Sequence, residues 1–214
     1  MSNGQPRQCS VLAYLLGRLV LKIAGWQIAG EAPKTNNCVI IAAPHTSNWD
    51  LILLLAAAFS FRLSINYMIK STVFWWPLGP VLKYLGGIPV DRSKPNSLVQ
   101  QMVDKIKTKE GINLVVPPSG TRSYTPYWKS GFYHIAKKAE AHLVCGYLDY
   151  SKKEAGLGPN FPPTHLTSDM DRLRKFYGPI TAKYPNMKSR IRLKEEDHEL
   201  RTHIEKPTRP NQRQ

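Results

Sequence analysis

A histidine and an aspartate, His45 and Asp50, follow an apolar segment of the chain at a spacing of five residues. The segment Cys38–Ala43 is typical of a buried strand, and the apolar residues after Asp50 predict a helix. Functional groups of α/β folds lie beyond the carboxyl ends of strands, where a loop histidine and a first-turn aspartate can converge. A carboxylate on one ring nitrogen fixes the imidazole tautomer, stabilises the imidazolium and leaves the other nitrogen free as a base. The pair therefore predicts general-base chemistry; the alternative is that Asp50 only caps the helix.

A second candidate is the segment Gly86–Arg92, in which two glycines precede a short apolar run and an arginine follows it. The glycines indicate a close approach of backbone, and Arg92 would emerge at the end of a strand. Arginine holds a phosphate through two parallel hydrogen bonds, so the segment predicts an anion site. The alternative is a solvated Arg92 paired with Asp91.

A third candidate is the segment Pro117–Ser123, which also follows an apolar strand-like run. Gly120 permits a tight turn, while Thr121 and Arg122 supply hydrogen-bond donors suited to a phosphate or an oxyanion. Pro118 occupies the first glycine position of the G-x-S-x-G nucleophile elbow. The sequence therefore gives little support to a covalent mechanism at Ser119.

The elements that must position these residues alternate between strand-like and helix-like segments. Strands are predicted at 38–43, 63–69, 87–90, 112–116 and 142–148. Helices are predicted at 51–61, 74–85, 128–139 and 169–184, with another that begins at Asn96 or Ser97 and stops before Gly111; residues 155–163, rich in Gly and Pro, are expected to be a loop. This alternation predicts a single α/β domain with a mostly parallel or mixed sheet flanked by helices.

Residues 10–26 predict an N-terminal amphipathic helix that is apolar except for one narrow stripe of Tyr14, Arg18 and Lys22. A membrane-spanning helix needs about 20 mostly apolar residues, and the uninterrupted run here is far shorter. The pattern fits a helix lying in a membrane interface, with Arg18 and Lys22 snorkelling and Trp26 at headgroup level. The alternative is a helix that packs on the protein's own core.

The aromatic segment 74–77 is open to three interpretations, an acyl-chain wall, an interfacial anchor or plain core.

The 214 residues contain 30 Lys and Arg against 15 Asp and Glu, a net charge of +15, and 42% of them are hydrophobic. The hydrophobic fraction excludes a disordered chain. The charge favours nucleic acid, an anionic lipid surface or a phosphorylated substrate. No nucleic-acid-binding motif accompanies the charge, so specific nucleic-acid binding is not expected. Three widely spaced cysteines without a C-x-x-C indicate a reducing compartment rather than a disulfide framework.

Taken in order, the three motifs resemble those of the glycerophospholipid acyltransferases. They are His45-x-x-x-x-Asp50, GGIPVDR at Gly86–Arg92 and PSGTRS at Pro118–Ser123. The sequence is most similar to short bacterial 1-acylglycerol-3-phosphate acyltransferase-like proteins. The likeness extends from about Ile23 to Tyr184 and includes WKSGFYHIA at Trp128–Ala136 and LDY at Leu148–Tyr150.

The resemblance implies an enzyme that moves a fatty acyl group to the hydroxyl of a lysophospholipid. His45 would take the proton of the acceptor hydroxyl, and Asp50 would orient and charge the imidazole. The hydroxyl would attack the thioester of acyl-CoA or acyl carrier protein directly, without an acyl-enzyme. The resemblance implies no metal and no cofactor beyond that thioester co-substrate.

The resemblance also implies that Arg92 and Arg122 hold the acceptor's phosphate, with Ser119, Gly120 and Thr121 shaping the loop. The family usually has glutamate in P-E-G-T-R, where this sequence has Ser119. That glutamate is associated with acceptor binding, so Ser119 leaves the acceptor open. The alternatives are an acyltransferase for another amphiphilic acceptor and a catalytically impaired lipid-binding relative.

Three parts are expected along the chain, a membrane-interface helix at 1–30, an acyltransferase domain at 31–184 and a basic, flexible tail at 185–214. The expected partners are an anionic membrane surface, a lysophospholipid-like acceptor and the acyl thioester. The expected location is the cytoplasmic face of the cell membrane, with the protein bound peripherally.

Overall fold

The computed structural model describes residues 9–35, 37–91, 95–108 and 112–197. Its helices are α1 (Val11–Ala24), α2 (Trp49–Ser60), α3 (Leu78–Tyr84), α4 (Pro95–Thr108), α5 (Gly131–Lys138) and α6 (Leu166–Tyr177). Its strands are β1 (Gln27–Ala29), β2 (Cys38–Ala42), β3 (Ile65–Lys70), β4 (Gly87–Val90), β5 (Asn113–Val116), β6 (His142–Asp149) and β7 (Glu154–Phe161). Two short 3₁₀ turns lie at Ser71–Val73 and Pro185–Met187.

The strands form one sheet of seven, in the order β1-β7-β6-β2-β5-β3-β4. Strands β6, β2, β5, β3 and β4 run parallel to one another. Strand β7 is antiparallel to β6, and β1 is parallel to β7. The prediction of an α/β domain with a mixed sheet, flanking helices and an N-terminal helix is therefore confirmed.

The central strand β2 contributes to the core on both faces of the sheet. Val39 and Ile41 pack into the cluster formed with α4, α5 and α6. Cys38 and Ile40 point to the other face, where residues of α2 cover the sheet. Because successive side chains of a strand alternate between faces, an uninterrupted apolar run such as β2 fits only a strand buried on both sides. The molecule therefore has three layers, with helices on each side of the sheet.

Helix α1 packs on α2 through one face and leaves the other exposed. Leu21 is buried in this contact, and a Cβ atom at Gly17 would lie 2.6 Å from the carbonyl oxygen of Ala56. The exposed face consists of Val11, Leu12, Leu15, Leu16, Leu19 and Ile23. Packing on the protein's own core therefore accounts for one face of the helix, and the other face is apolar and open. None of the described helices combines the length and apolarity that crossing a bilayer requires.

The prediction of a loop at 155–163 is wrong, because Glu154–Phe161 forms strand β7. Its glycines hide the usual strand signal, yet each makes room for an aromatic ring. A Cβ atom at Gly156 would lie 2.6 Å from the ring of Tyr147, and one at Gly158 would lie 2.2 Å from the ring of Phe176. Pro159 sits where the pairing with β6 is irregular, a position at which a missing N–H is tolerated.

Three predicted helices have bounds that differ from the observed ones by three residues or more. Helix α3 begins only after Pro77, and Pro80 is tolerated because it lies in the first turn. Helix α5 begins at Gly131 rather than Trp128, whose N–H donates to the carbonyl of Arg192 at 2.7 Å. Helix α6 begins at Leu166 and ends at Tyr177, before a Gly-Pro pair that cannot continue it, and not at residue 184.

Packing continues past residue 184, where a flexible tail was expected to begin. Leu193 is fully buried, and Glu196 forms an ion pair of 2.7 Å with Arg174. Asp197 accepts a hydrogen bond of 2.6 Å from the hydroxyl of Tyr127. Residues 185–197 are therefore part of the folded body, and the rest of the expected tail, residues 198–214, lies outside the described residues.

Candidate active site

Three neighbouring strands bring the candidate residues to one edge of the sheet. Strands β6, β2 and β5 are adjacent and parallel, so their carboxyl ends lie together. His45 lies in the loop after β2, the segment 117–123 follows β5, and Tyr150 directly follows β6. This edge is where α/β sheets place functional groups, as the sequence predicts.

Asp50 lies in the first turn of α2, and its side chain reaches back over the preceding loop. One carboxylate oxygen, Oδ2, is 3.0 Å from Nδ1 of His45. The same oxygen accepts backbone N–H bonds from Thr46 at 2.8 Å and Ser47 at 2.9 Å. The loop is thus folded around the carboxylate, which fixes the histidine relative to the helix.

The other carboxylate oxygen of Asp50, Oδ1, accepts a hydrogen bond of 2.7 Å from the hydroxyl of Tyr150. Burial raises the pKa of Asp50, but hydrogen bonds from His45, Tyr150, Ser47 and Thr46 outweigh burial and hold the pKa below its usual value. The carboxylate is therefore ionised at neutral pH and can only accept hydrogen bonds. In the neutral imidazole of His45, Nδ1 then carries the proton and Nε2 has a free lone pair, the tautomer that a general base requires.

Tyr150 is a site residue to which the sequence assigned no role beyond its place in the LDY segment. Burial and the nearby Asp50 raise its pKa far above the usual range of tyrosine, so the hydroxyl stays protonated and donates. Its ring packs edge-on against Trp26, with centroids 4.9 Å apart. The signal that could have found it is its position, a tyrosine at the end of a strand that neighbours β2.

The loop after β5 turns back on itself beside His45. The hydroxyl of Ser119 donates to the carbonyl of Thr121 at 2.7 Å, and Ser119 is buried. Gly120 has a φ of +65°, which favours glycine, and Lys129 lies across it. A Cβ atom at Gly120 would lie 3.0 Å from the Lys129 ammonium nitrogen, so a second cation not predicted from the sequence belongs to this loop.

Arg122 connects this loop to the start of α2, because its guanidinium donates to the side-chain oxygen of Asn48. Asn48 is two residues before Asp50, so the arginine lies close to the His45–Asp50 pair. Arg122 is exposed and keeps further donors for a ligand. Arg92, the other predicted phosphate ligand, lies outside the described residues.

A wide groove brings most of the predicted residues together. It holds about 1860 Å³ of empty space, open solvent included, and its walls include His45, Asp50, Gly120, Thr121 and Arg122. Ser119 instead lines a smaller cavity that it shares with His45. Within the described part of the chain, His, Cys, Asp and Glu side chains form no group of three that could hold a metal ion.

A small apolar cavity lies between α2 and the sheet, next to the groove, with room for little more than a water-sized molecule. Its walls are aliphatic and aromatic, with Ile40, Ala58, Phe61 and Ile65 among them. Leu54, Val115, Gly146, Tyr147 and Leu148 line both the cavity and the groove. The two spaces are therefore neighbours, and only the groove, whose walls are mostly apolar, is large enough for a ligand.

Comparisons with known proteins agree with this arrangement. The family model described as Acyltransferase matches residues 27–148. A solved structure of the 1-acyl-sn-glycerophosphate (LPA) acyltransferase PlsC from Thermotoga maritima is similar in fold, with a TM-score of 0.53 and 16% sequence identity, covering 78% of this chain and 74% of that chain. A comparison with curated proteins finds no match.

Proposed function

The chain belongs to the acyltransferase family, and on that premise we propose that it acylates the free hydroxyl of a lysophospholipid such as 1-acylglycerol-3-phosphate. The observation that carries this proposal is the contact between His45 and an ionised Asp50 in the wall of an open groove. The acyl donor in this proposal is a thioester of coenzyme A or acyl carrier protein. The intact pair favours an active enzyme over a catalytically impaired lipid-binding relative.

The proposed reaction needs one base and no covalent enzyme intermediate. Nε2 of His45 takes the proton of the acceptor hydroxyl while the hydroxyl oxygen attacks the thioester carbonyl carbon. The carbon–sulfur bond then breaks, and the imidazolium returns the proton to the leaving thiolate, giving an ester and a free thiol. Asp50 stabilises the imidazolium between these steps, because its ionised carboxylate bonds Nδ1–H. General-base help of this kind contributes about 10²–10⁴-fold, and binding and orientation supply the rest.

The acceptor's phosphate would be held by cations around the loop after β5. Arg122 is fixed next to α2 by Asn48 and presents its remaining N–H groups. The Lys129 ammonium lies across Gly120 in the same loop. Arg92 joins them in the proposal on the strength of the sequence resemblance alone.

A fatty acyl chain would lie along the apolar wall of the groove. Leu51, Ile52 and Leu54 of α2 line the groove with Val115 of β5, so a thioester carbonyl near His45 can extend its hydrocarbon tail along α2. Burying each methylene of the tail contributes about 0.8 kcal/mol, which gives this wall a preference for a hydrocarbon.

The proposed partner that delivers these lipids is an anionic membrane surface at the cytoplasmic face of the cell membrane. The support is the exposed apolar face of α1, which includes Leu12 and Ile23 and is flanked by Arg18 and Lys22. An apolar face bordered by cations is typical of a helix that lies in the interface of anionic lipids. The protein would then bind the membrane peripherally.

The structure of the loop after β5 is also compatible with a second class of acceptor. Ser119 is buried and bonds its own loop, so it offers the acceptor neither the charge nor the length of the family's glutamate. The second candidate is therefore an acyltransferase for another amphiphilic hydroxyl.

Radiolabelled acyl-CoA and acyl carrier protein thioesters, supplied with membranes and a panel of lysolipids, test the proposal. We expect a labelled ester product with at least one acceptor, and an absence of product with every donor and acceptor would contradict the proposal. Ser119→Glu separates the two acceptor classes. If Ser119 adapts the loop to a different acceptor, Ser119→Glu is expected to acylate 1-acylglycerol-3-phosphate faster than the wild type does. An unchanged rate would indicate that the wild-type loop already accepts 1-acylglycerol-3-phosphate.

A further inference from the structure

The connection between β3 and β4 leaves three aromatic side chains unburied. Trp75 is 61% exposed, Trp76 is 82% exposed and Tyr84 is 86% exposed. Val81 is also exposed between them. We call residues Val73–Tyr84 the aromatic turn. Large exposed aromatic groups that are clustered rather than scattered mark a contact surface.

The first part of the aromatic turn, with Trp75 and Trp76, lies at the same edge of the sheet as the candidate active site, whereas α3 runs back along β3 and places Tyr84 near Ile65. Strand β3 is parallel to β5 and ends at Lys70, so the chain that follows it emerges at the edge that carries the loop after β5. Lys70 and Val73 line the groove together with Leu51 and Ile52 of α2. These apolar residues are themselves exposed, so the groove is bordered by open apolar side chains from both α2 and the turn.

The charge around the turn has one sign. Between Asp50 and Asp91 the sequence has no acidic residue, whereas Arg62, Lys70 and Lys83 are basic. Lys70 and Lys83 are both exposed, and Lys70 lies at the same edge of the sheet as Trp75 and Trp76. Tryptophan and tyrosine favour the headgroup level of a bilayer, where lysine side chains extend toward anionic lipid.

We propose that the aromatic turn is a second membrane contact, separate from α1, which seats the groove on an anionic phospholipid bilayer. The proposal deepens the membrane partner of the proposed function and rests on it only for the choice of a lipid surface. With α2 on one side and the turn on the other, the groove opens toward the lipid from which an acyl acceptor would enter. A second copy of the chain fits the surface less well, because its own Lys70 and Lys83 would face those of the first.

The test compares the full chain with Trp75→Ala/Trp76→Ala in sedimentation with vesicles of phosphatidylcholine and phosphatidylglycerol. Losing two indoles from the interface is expected to weaken vesicle binding about tenfold or more. Gln101→Ala, an exposed substitution on α4 across the sheet, is expected to bind as the wild type does. Vesicles of brominated lipid are expected to quench the wild-type tryptophan fluorescence more than that of Trp75→Phe/Trp76→Phe.

Unchanged binding and unchanged quenching in the variants would overturn the proposal. A wild-type dimer that dissociates in Trp75→Ala/Trp76→Ala, with vesicle binding unchanged, would overturn it in favour of a second copy. Acyl transfer in detergent micelles distinguishes a failure of this proposal from a failure of the proposed function, because micelles supply the lipid substrate without a bilayer. The variant is expected to retain micellar activity, and a wild type that binds vesicles through the turn but transfers no acyl group would contradict the proposed function alone.

Discussion

Asp50 is the residue on which the site depends, because it receives four hydrogen bonds through two oxygens. Oδ2 binds Nδ1–H of His45 and two backbone amides, and Oδ1 binds the Tyr150 hydroxyl. The sequence predicts the His45–Asp50 pair from its place after a strand. It cannot predict Tyr150, because that contact joins residues separated by 100 positions and depends on the register of β6 beside β2. We therefore expect Tyr150 to act through Asp50 as a positioning residue.

Tyr150→Phe is expected to lower kcat about tenfold while changing KM little, because the carboxylate that orients His45 loses one of its fixed donors. Tyr127→Phe is the matched control, since it removes a similar bond of 2.6 Å from a tyrosine to Asp197 in the C-terminal segment. Steady-state acyl transfer measures both. Equal activity in the two variants would show that Tyr150 does not position the pair.

The Tyr150→Phe variant also tests how the stability of the protein depends on pH. The Tyr150 bond stabilises the folded protein while Asp50 is ionised, and is worth about 1–2 kcal/mol. Because the pKa of folded Asp50 lies below its ordinary 3.8, this contribution is complete above that value and is lost as pH falls through the lower folded pKa. Urea unfolding is expected to show a stability difference between wild type and Tyr150→Phe at pH 7 that shrinks below about pH 4. A difference that stays constant with pH would contradict an ionised Asp50.

At the scale of elements, the parallel strands were predictable and the edge of the sheet was not. Strands β2 and β5 are short, largely apolar runs that are buried along almost their whole length, as expected for strands covered on both faces. Strand β7 lacks an apolar run. Gly156 and Gly158 occupy it because the rings of Tyr147 and Phe176 leave no room there for a side chain. Such contacts exist only after the chain has folded, so no local pattern reports them.

Helix α1 is positioned by the absence of a side chain at Gly17. Gly17→Ala is expected to destabilise the protein by about 1–3 kcal/mol, because the new Cβ atom would lie 2.6 Å from the Ala56 carbonyl oxygen. Alanine's helix propensity acts in the opposite direction by about 1 kcal/mol. Gly131→Ala in α5 is the control, since its Cβ atom would meet only Val99 at 3.9 Å. Thermal unfolding measures the stability of both variants. Equal stability of Gly17→Ala and Gly131→Ala would exclude close packing of α1 on α2.

At the scale of the whole molecule, part of the net charge of +15 can be assigned to particular surfaces. Arg122 and Lys129 lie at the loop after β5, Arg18 and Lys22 lie on α1, and Lys70 lies in the wall of the groove. Charge alone left nucleic acid, membranes and phosphorylated ligands as equal partners. Lys70 and Arg122 line one groove with apolar borders, which favours a lipid among these three classes of partner.

Vesicle binding is accordingly expected to depend on salt. Raising ionic strength from about 0.1 M to about 1 M shortens the screening length from about 10 Å to about 3 Å, so binding to anionic vesicles should weaken strongly. Binding to phosphatidylcholine vesicles, which rests on the apolar faces alone, should be weaker at low salt and change little. Sedimentation of the protein with both vesicle types measures this. Equal affinity for the two lipids at low salt would remove the role assigned to the cations.

In the proposed reaction, His45 is the base that activates the acceptor hydroxyl. The most direct measurement is acyl transfer by His45→Ala, with His142→Ala as the matched control, because His142 lies at the opposite end of the sheet and contacts Asn160. We expect His45→Ala to lose about 10³-fold or more in kcat while remaining folded, and His142→Ala to match the wild type. Undiminished transfer by a folded His45→Ala protein would contradict the account.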